Sequence, residues 1–197
     1  MLVLVIGDAY VPDRAPELPA KFRSLLVPGK IHHVLCTGNL CDQGTYDFLR
    51  GVCPRITCVG GDADERQGAA WTGAEDGRQA APPGTATTRL GDFAVGVAHA
   101  GAAVPRGSRA SVARLQRLLD VDVLAIGGSH AFQAYRQNGR LVIDPGSATG
   151  APAPEGGGGV PSFALVDLEG NRAIIYAYQL SKDGQVKVEK IEFTKDS

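Results

Sequence analysis

The sequence predicts an α/β fold built as a four-layer αββα sandwich, two mixed sheets face to face with helices on the outside. Three observations carry this. Short apolar runs alternate with amphipathic stretches at the start of the chain, the pattern of βαβ units around parallel strands. Later the chain changes to closely spaced strand signals joined by turn dipeptides, the pattern of antiparallel hairpins. Finally, strand after strand ends in a loop that sets Asp, Asn or His close to a glycine: Gly7-Asp8-Ala9-Tyr10, Gly38-Asn39-Leu40-Cys41-Asp42, Gly61-Asp62-Ala63-Asp64, Ala98-His99-Ala100-Gly101 and Gly127-Gly128-Ser129-His130. Core packing does not produce such a series, whereas ligands of open α/β sheets gather where strands end at their carboxyl side.

The elements follow in order. Leu2 to Ile6 reads as a buried strand, followed by a long loop and a helix in which Leu18, Phe22, Leu25 and Leu26 recur at helical spacing. Pro28-Gly29 ends that helix. His32 to Cys36 is the second strand, Thr45 to Arg50 a short helix with Thr45 as its cap, and Arg55 to Val59 the third strand. Thr87 to Leu90 and Phe93 to Ala98 form a hairpin about Gly91-Asp92. Ser108 or Ser111 then caps a helix carrying Val112, Leu115, Leu118 and Leu119, and Val123 to Ile126 is another buried strand. Beyond it lie Gln133 to Gln137, a turn at Asn138-Gly139, Arg140 to Asp144, Ser162 to Leu168, Arg172 to Leu180 and Val186 to Phe193, all read as strands.

A length of 197 residues fits one domain over 1–197. Glu65 to Thr85 loses all periodicity and reads as a flexible insertion, and Ala151 to Gly159 as a glycine-rich loop. With 20 basic and 21 acidic residues the formal charge is −1, which leaves no electrostatic footprint for nucleic acid or an anionic membrane. The apolar start at Met1 is too short to span a bilayer and lacks a basic leader, so a soluble, cytoplasmic chain is expected. Cys36, Cys41, Cys53 and Cys58 have a C-x4-C, x11, C-x4-C spacing that invites a zinc site. Cys36 and Cys58 fall inside apolar strand runs, however, so small buried hydrophobes are the better reading, and disulfides are not expected.

The five loops have the placement that two-metal hydrolysis needs, with carboxylates and imidazoles at several strand ends. Taken singly, Asp8, Asn39 and Asp62 are ordinary loop or cap residues, and His99 and His130 ordinary loop histidines. Taken together they resemble the calcineurin-like metallophosphoesterase family, whose loops read D-x-H, G-D-x-x, G-N-H-[DE], a lone His followed by Gly, and G-H-x-H. On that resemblance Asp8, Asn39, Asp62, His99 and His130 mark a vestigial metal pocket. The departures disarm it: Tyr10 stands for a histidine, Asn39 for the bridging Asp, Asp62 for the metal-binding Asn, Ala63 for the leaving-group acid and Gly128 for a histidine. A neutral amide cannot neutralise two dications, and without an acid at Ala63 nothing protonates the leaving oxygen. The reading is therefore of no cofactor, with at most weak divalent-metal binding, and no enzyme.

Closer matches, among them Leu18-Pro19-Ala20-Lys21-Phe22, Leu25-Leu26-Val27-Pro28-Gly29-Lys30, Leu35-Cys36-Thr37-Gly38-Asn39-Leu40-Cys41 and Pro145-Gly146-Ser147-Ala148-Thr149-Gly150, resemble the small-subunit family of the retromer cargo-recognition complex. That resemblance implies a scaffold for endosome-to-Golgi or endosome-to-surface transport, cytoplasmic and peripheral on endosomes only through the complex. Its partner would be the α-solenoid subunit, vacuolar protein sorting-associated protein 35, docked on the pocket face at Ala103, Val104 and Pro105. A second, apolar patch of Leu2, Leu25, Lys30, Leu165, Tyr176 and Tyr178 would take Pro-Leu-containing loops of regulators. Competing readings are a weak phosphodiesterase or phosphatase with one metal on Asp8, Asp62, His99 and His130, and a small-molecule sensor.

Overall fold

The computed structural model describes residues 1–67, 72–73, 79–153 and 159–196. The strands are β1 (Leu2–Ile6), β2 (His33–Cys36), β3 (Ile56–Cys58), β4 (Thr72–Gly73), β5 (Gln79–Ala80), β6 (Thr85–Leu90), β7 (Phe93–His99), β8 (Val123–Gly127), β9 (Phe132–Gln137), β10 (Arg140–Pro145), β11 (Ser162–Glu169), β12 (Arg172–Leu180) and β13 (Val186–Thr194). The helices are α1 (Ala20–Leu25), α2 (Gln43–Val52), α3 (Asp62–Gln67) and α4 (Arg109–Leu118). One large sheet runs β13-β12-β11-β1-β2-β3 and a second β6-β7-β8-β10-β9, while β4 and β5 pair with each other. β1, β2 and β3 are mutually parallel, as are β7, β8 and β10, while β11 to β13 and the outer β6 and β9 pair antiparallel. The expected sandwich of two mixed sheets is what forms.

Period-two geometry explains the near-continuous apolar strands. Along β1, Val3 and Val5 enter the core between the sheets, where they meet Leu35, Val95, Ile143 and Ile175. Leu4 and Ile6 face the other way, into the cluster under α1 and α2 with Phe22, Leu49 and Phe163. A strand covered on both faces carries no polar side. On the far face of the second sheet, Leu115 of α4 packs with Ala98, Leu124, Ile126 and Val142. Cys36, Cys53 and Cys58 belong to the α1/α2 cluster, as small hydrophobes do, and all four cysteines are free.

Three details differ from the sequence reading, and the choice of cap for α4 is settled. The cap of α2 is Asp42, whose Oδ2 accepts from the Thr45 amide at 2.9 Å, so the helix starts earlier and Thr45 is buried within it. A carboxylate is the stronger acceptor for that first-turn donor. Ser108, not Ser111, caps α4, and Leu118 is 73% exposed, because the inward face is completed by Ala113 and Gln116. Gln116 reaches past the helix to donate to the carbonyls of Asp122 and Leu141. The expected insertion begins as helix, since α3 continues to Gln67; most of 65–85 beyond that point and 154–158 of the glycine loop lie outside the described residues.

Candidate functional site

The five loops converge at the carboxyl ends of β1, β2, β3, β7 and β8. Their backbones are held in an unusual state: Asp8, Tyr10, Asn39, Cys41 and His130 all have positive φ, between 50° and 71°. Left-handed backbone costs L-residues energy and persists only where the surroundings over-determine it. One constraint is close approach: a Cβ on Gly38 would lie 2.7 Å from the Gly61 amide, so only glycine lets the second and third loops meet. Another is Asp64, buried at the start of α3, whose carboxylate accepts from the amides of Asn39 (2.5 Å), Gly61 (2.9 Å) and Cys41 (2.9 Å). Burial raises its pKa above the usual carboxylate range, an effect the three amides only partly offset. The sequence reading quoted Asp64 without a role; a carboxylate three residues past a glycine at a strand end was the available signal.

At the centre sits Asn39, fully buried. Its Oδ1 accepts from the Ala63 amide at 2.9 Å, which turns Nδ2 towards Asp8 Oδ1 (2.8 Å), the Tyr10 hydroxyl (2.7 Å) and His99 Nε2 (2.9 Å). The atom of Asn39 able to ligate a metal is thus occupied, and its amide nitrogen is held within a buried polar network. Asp8 is equally committed, its Oδ2 accepting from the Gly128 amide at 2.6 Å. The Tyr10 hydroxyl also faces His130 Nε2 at 3.3 Å, while His130 Nδ1 lies 2.8 Å from the Ala151 carbonyl. Since that carbonyl takes the Nδ1 hydrogen, Nε2 is left as acceptor for Tyr10. Burial, then the charge of Asp8, pushes the phenol well above its ordinary range, so it stays protonated as a donor.

His99 is biased towards its cation. Burial opposes the charge, but the hydrogen bond and charge of Asp8 together with the charge of Asp62 outweigh it and raise its pKa. The carboxylates lie 3.6 Å from Nε2 and 3.6 Å from Nδ1. Asp62 in turn pairs with Arg106. Asp144, which the sequence reading passed over, is buried beside the site. Burial, reinforced by the charge of Asp8, pushes its carboxyl up to about 7.

The pocket over these residues has a volume of about 480 Å³ and extends towards α4 and β9. The structure brings Asp8, Asn39, Asp62, His99 and His130 together, with Asp62, His99 and His130 lining the pocket and Asp8 and Asn39 fully buried. Val104 stands on the loop after His99 and is 73% exposed, with Pro105 also exposed. Ala103, unlike these two neighbours, is buried at 3% exposure and packs under α4, because the 3-10 turn over Ala100–Ala102 tucks it inward. Of the second group, Leu2, Leu165, Tyr176 and Tyr178 lie on strands of the six-stranded sheet, Leu25 ends α1 and Lys30 is in the loop that follows. Leu2, Leu165 and Tyr178 are half-buried against the α1/α2 core, and Tyr178 stacks on Phe163 with ring centroids 4.7 Å apart. Tyr176 is half-buried, while Leu25 and Lys30 are exposed.

Fold and loops together define a member of the calcineurin-like phosphoesterase superfamily, whose domain model matches residues 1–171. Within it the chain belongs to the vacuolar protein sorting-associated protein 29 family. It is 41% identical to vacuolar protein sorting-associated protein 29 of Schizosaccharomyces pombe, over 99% of both chains. The structure of Vacuolar Protein Sorting 29 from Cryptosporidium parvum superposes with a TM-score of 0.90, at 36% identity over 98% of each chain. Wild-type Vps29 of Entamoeba histolytica, solved complexed with Zn²⁺, gives a TM-score of 0.84 at 38% identity, over 98% of this chain and 100% of that one.

Proposed function

We propose that the chain is a non-enzymatic subunit of the retromer cargo-recognition complex, docking by its pocket face on the α-solenoid subunit, vacuolar protein sorting-associated protein 35. It would serve endosome-to-Golgi or endosome-to-surface transport, cytoplasmic and held at endosomes only through the complex. Among the described residues no helix is long and apolar enough to cross a membrane. Membership of the vacuolar protein sorting-associated protein 29 family supports the assignment, and one observation carries its chemical half. The polar atoms that would ligate metals in an active relative are bonded to each other and to the backbone, with the Tyr10 hydroxyl between Asn39 and His130.

The donor set does not fit a pair of divalent ions. Asn39 turns its amide nitrogen to Asp8, both oxygens of Asp8 accept hydrogen bonds, and His130 Nε2 is spent on Tyr10. Ala63 has no proton to give a leaving group. The weak-phosphodiesterase alternative would have to dismantle this network before binding its metal. Apolar Val104 and Pro105 beside the pocket suit the core of a protein interface. The half-buried face with Leu165, Tyr176 and Tyr178, together with Leu2, Leu25 and Lys30, is proposed for regulators with Pro-Leu loops, Tyr offering apolar area with a polar tip. The test is association of the purified chain with the C-terminal half of the solenoid subunit on size exclusion. A stable equimolar complex is expected, and two proteins that elute apart overturn the assignment.

A further inference from the structure

The pocket is broader than the vestigial metal site. Beyond His99 and His130 it runs under the first turn of α4, walled by Val112, Ile126 and Val142. Three arginines reach it: Arg14, Arg106 and Arg109. Its own charges pair in a definite way. Arg106 is taken by Asp62. Asp144 is enclosed and accepts from the amides of Ser129 and Gly146. Arg14 and Arg109 have no carboxylate partner among the described residues. Each instead lies over an aromatic ring, Arg14 at 4.1 Å from the Tyr10 centroid and Arg109 at 4.4 Å from that of Tyr135. Arg14 is steadied further by donating to the Pro152 carbonyl at 2.9 Å.

A guanidinium laid on a ring loses freedom without losing its edge donors, so it is preorganised to grip a carboxylate. The start of α4, Ser108 to Arg109, adds the positive end of a helix on the same side. Asp62 and Asp144 are the carboxylates that line the pocket. We propose that the pocket is a carboxylate socket: the protein docked on this face seats Glu or Asp side chains against Arg14 and Arg109, with apolar neighbours against Val104 and Val112. The occupant is an acidic, partly apolar helical surface. A phosphate ester is a poorer match, because the amides of Gly128 and Ser129 at the pocket floor are already spent on Asp8 and Asp144. The inference rests on the pocket face being the docking face.

The experiment is a calorimetric titration of the full chain with the C-terminal half of the solenoid subunit at 50, 150 and 400 mM salt. Wild type, the Arg14→Gln/Arg109→Gln double variant and Val104→Asp are compared, with thermal melting as the folding control. The double variant should bind about tenfold or more weakly at 50 mM salt and lose most of the wild-type salt dependence. Loss of affinity that is equal at all three salts would assign the arginines to packing and overturn the socket. Wild-type affinity in the double variant, with Val104→Asp abolishing binding, overturns the socket and leaves the docking face standing. If Val104→Asp also binds as wild type, the docking face itself is wrong.

Discussion

Replacing Tyr10 by phenylalanine removes one oxygen from the centre of the site and keeps the buried ring. Its hydroxyl accepts from Asn39 Nδ2 at 2.7 Å and faces His130 Nε2 at 3.3 Å. The amide keeps Asp8 Oδ1 as an acceptor at 2.8 Å. The loss falls on His130, 1% exposed, whose Nε2 is left without its hydrogen-bond donor. A buried acceptor left unmet costs about 1–3 kcal/mol. Taking about 2 kcal/mol for a chain of this size, the melting temperature should fall by about 4–8 °C. Circular dichroism melting of the two proteins at pH 7.5 measures it. A Tyr10→Phe midpoint within about 1 °C of wild type would refute the claim that this hydroxyl ties the first loop to the last.

Asp64→Ala should be worse, above about 3 kcal/mol by urea denaturation, because three loop amides lose one acceptor; a midpoint near wild type would contradict that. Stability should also decline as pH rises from 5 to 8. With the Asp144 carboxyl pushed up to about 7, the folded chain holds a proton that the unfolded chain has already released, so each step up in pH favours unfolding until Asp144 ionises. Asp144→Asn should flatten this slope by roughly 2–3 kcal/mol in urea denaturation across that range, and equal slopes would assign the proton elsewhere. Metal-stripped protein titrated with Mn²⁺ or Zn²⁺ should show no stoichiometric sub-micromolar site, and aryl phosphates should be hydrolysed at the buffer rate. A tight site abolished by Asp62→Ala, or turnover stopped by His99→Ala, would restore the metal reading.

Much of this was legible in the chain. β12 begins and ends where alternation from Arg172 to Leu180 says, because its inner Ala173, Ile175 and Ala177 and outer Ile174, Tyr176 and Tyr178 face different surroundings. The five loop residues converge because parallel strands deliver their carboxyl ends to one edge of each sheet. Other features depend on contacts far apart in sequence. Nothing local says that β11 returns to pair with β1, rather than extending the second sheet. Ala103 looked like its exposed neighbours Val104 and Pro105, and only the 3-10 turn separates them. Asp144 reads as a strand residue until Asp8 is known to lie beside it, and the stacking of Arg14 and Arg109 needs rings from other elements.

The central claim is that the chain acts by docking through the pocket face, and one comparison bears on it most directly. Val104→Asp places a charge on a side chain that is 73% exposed, so the isolated fold should be unchanged by circular dichroism. In an interface that excludes water the same charge costs about 2–5 kcal/mol, about thirtyfold or more in Kd. Tyr178→Asp alters the outer face of the other sheet. Binding to the C-terminal half of the solenoid subunit should be lost in Val104→Asp and kept in Tyr178→Asp; the reverse pattern would put the docking face on the wrong side of the molecule.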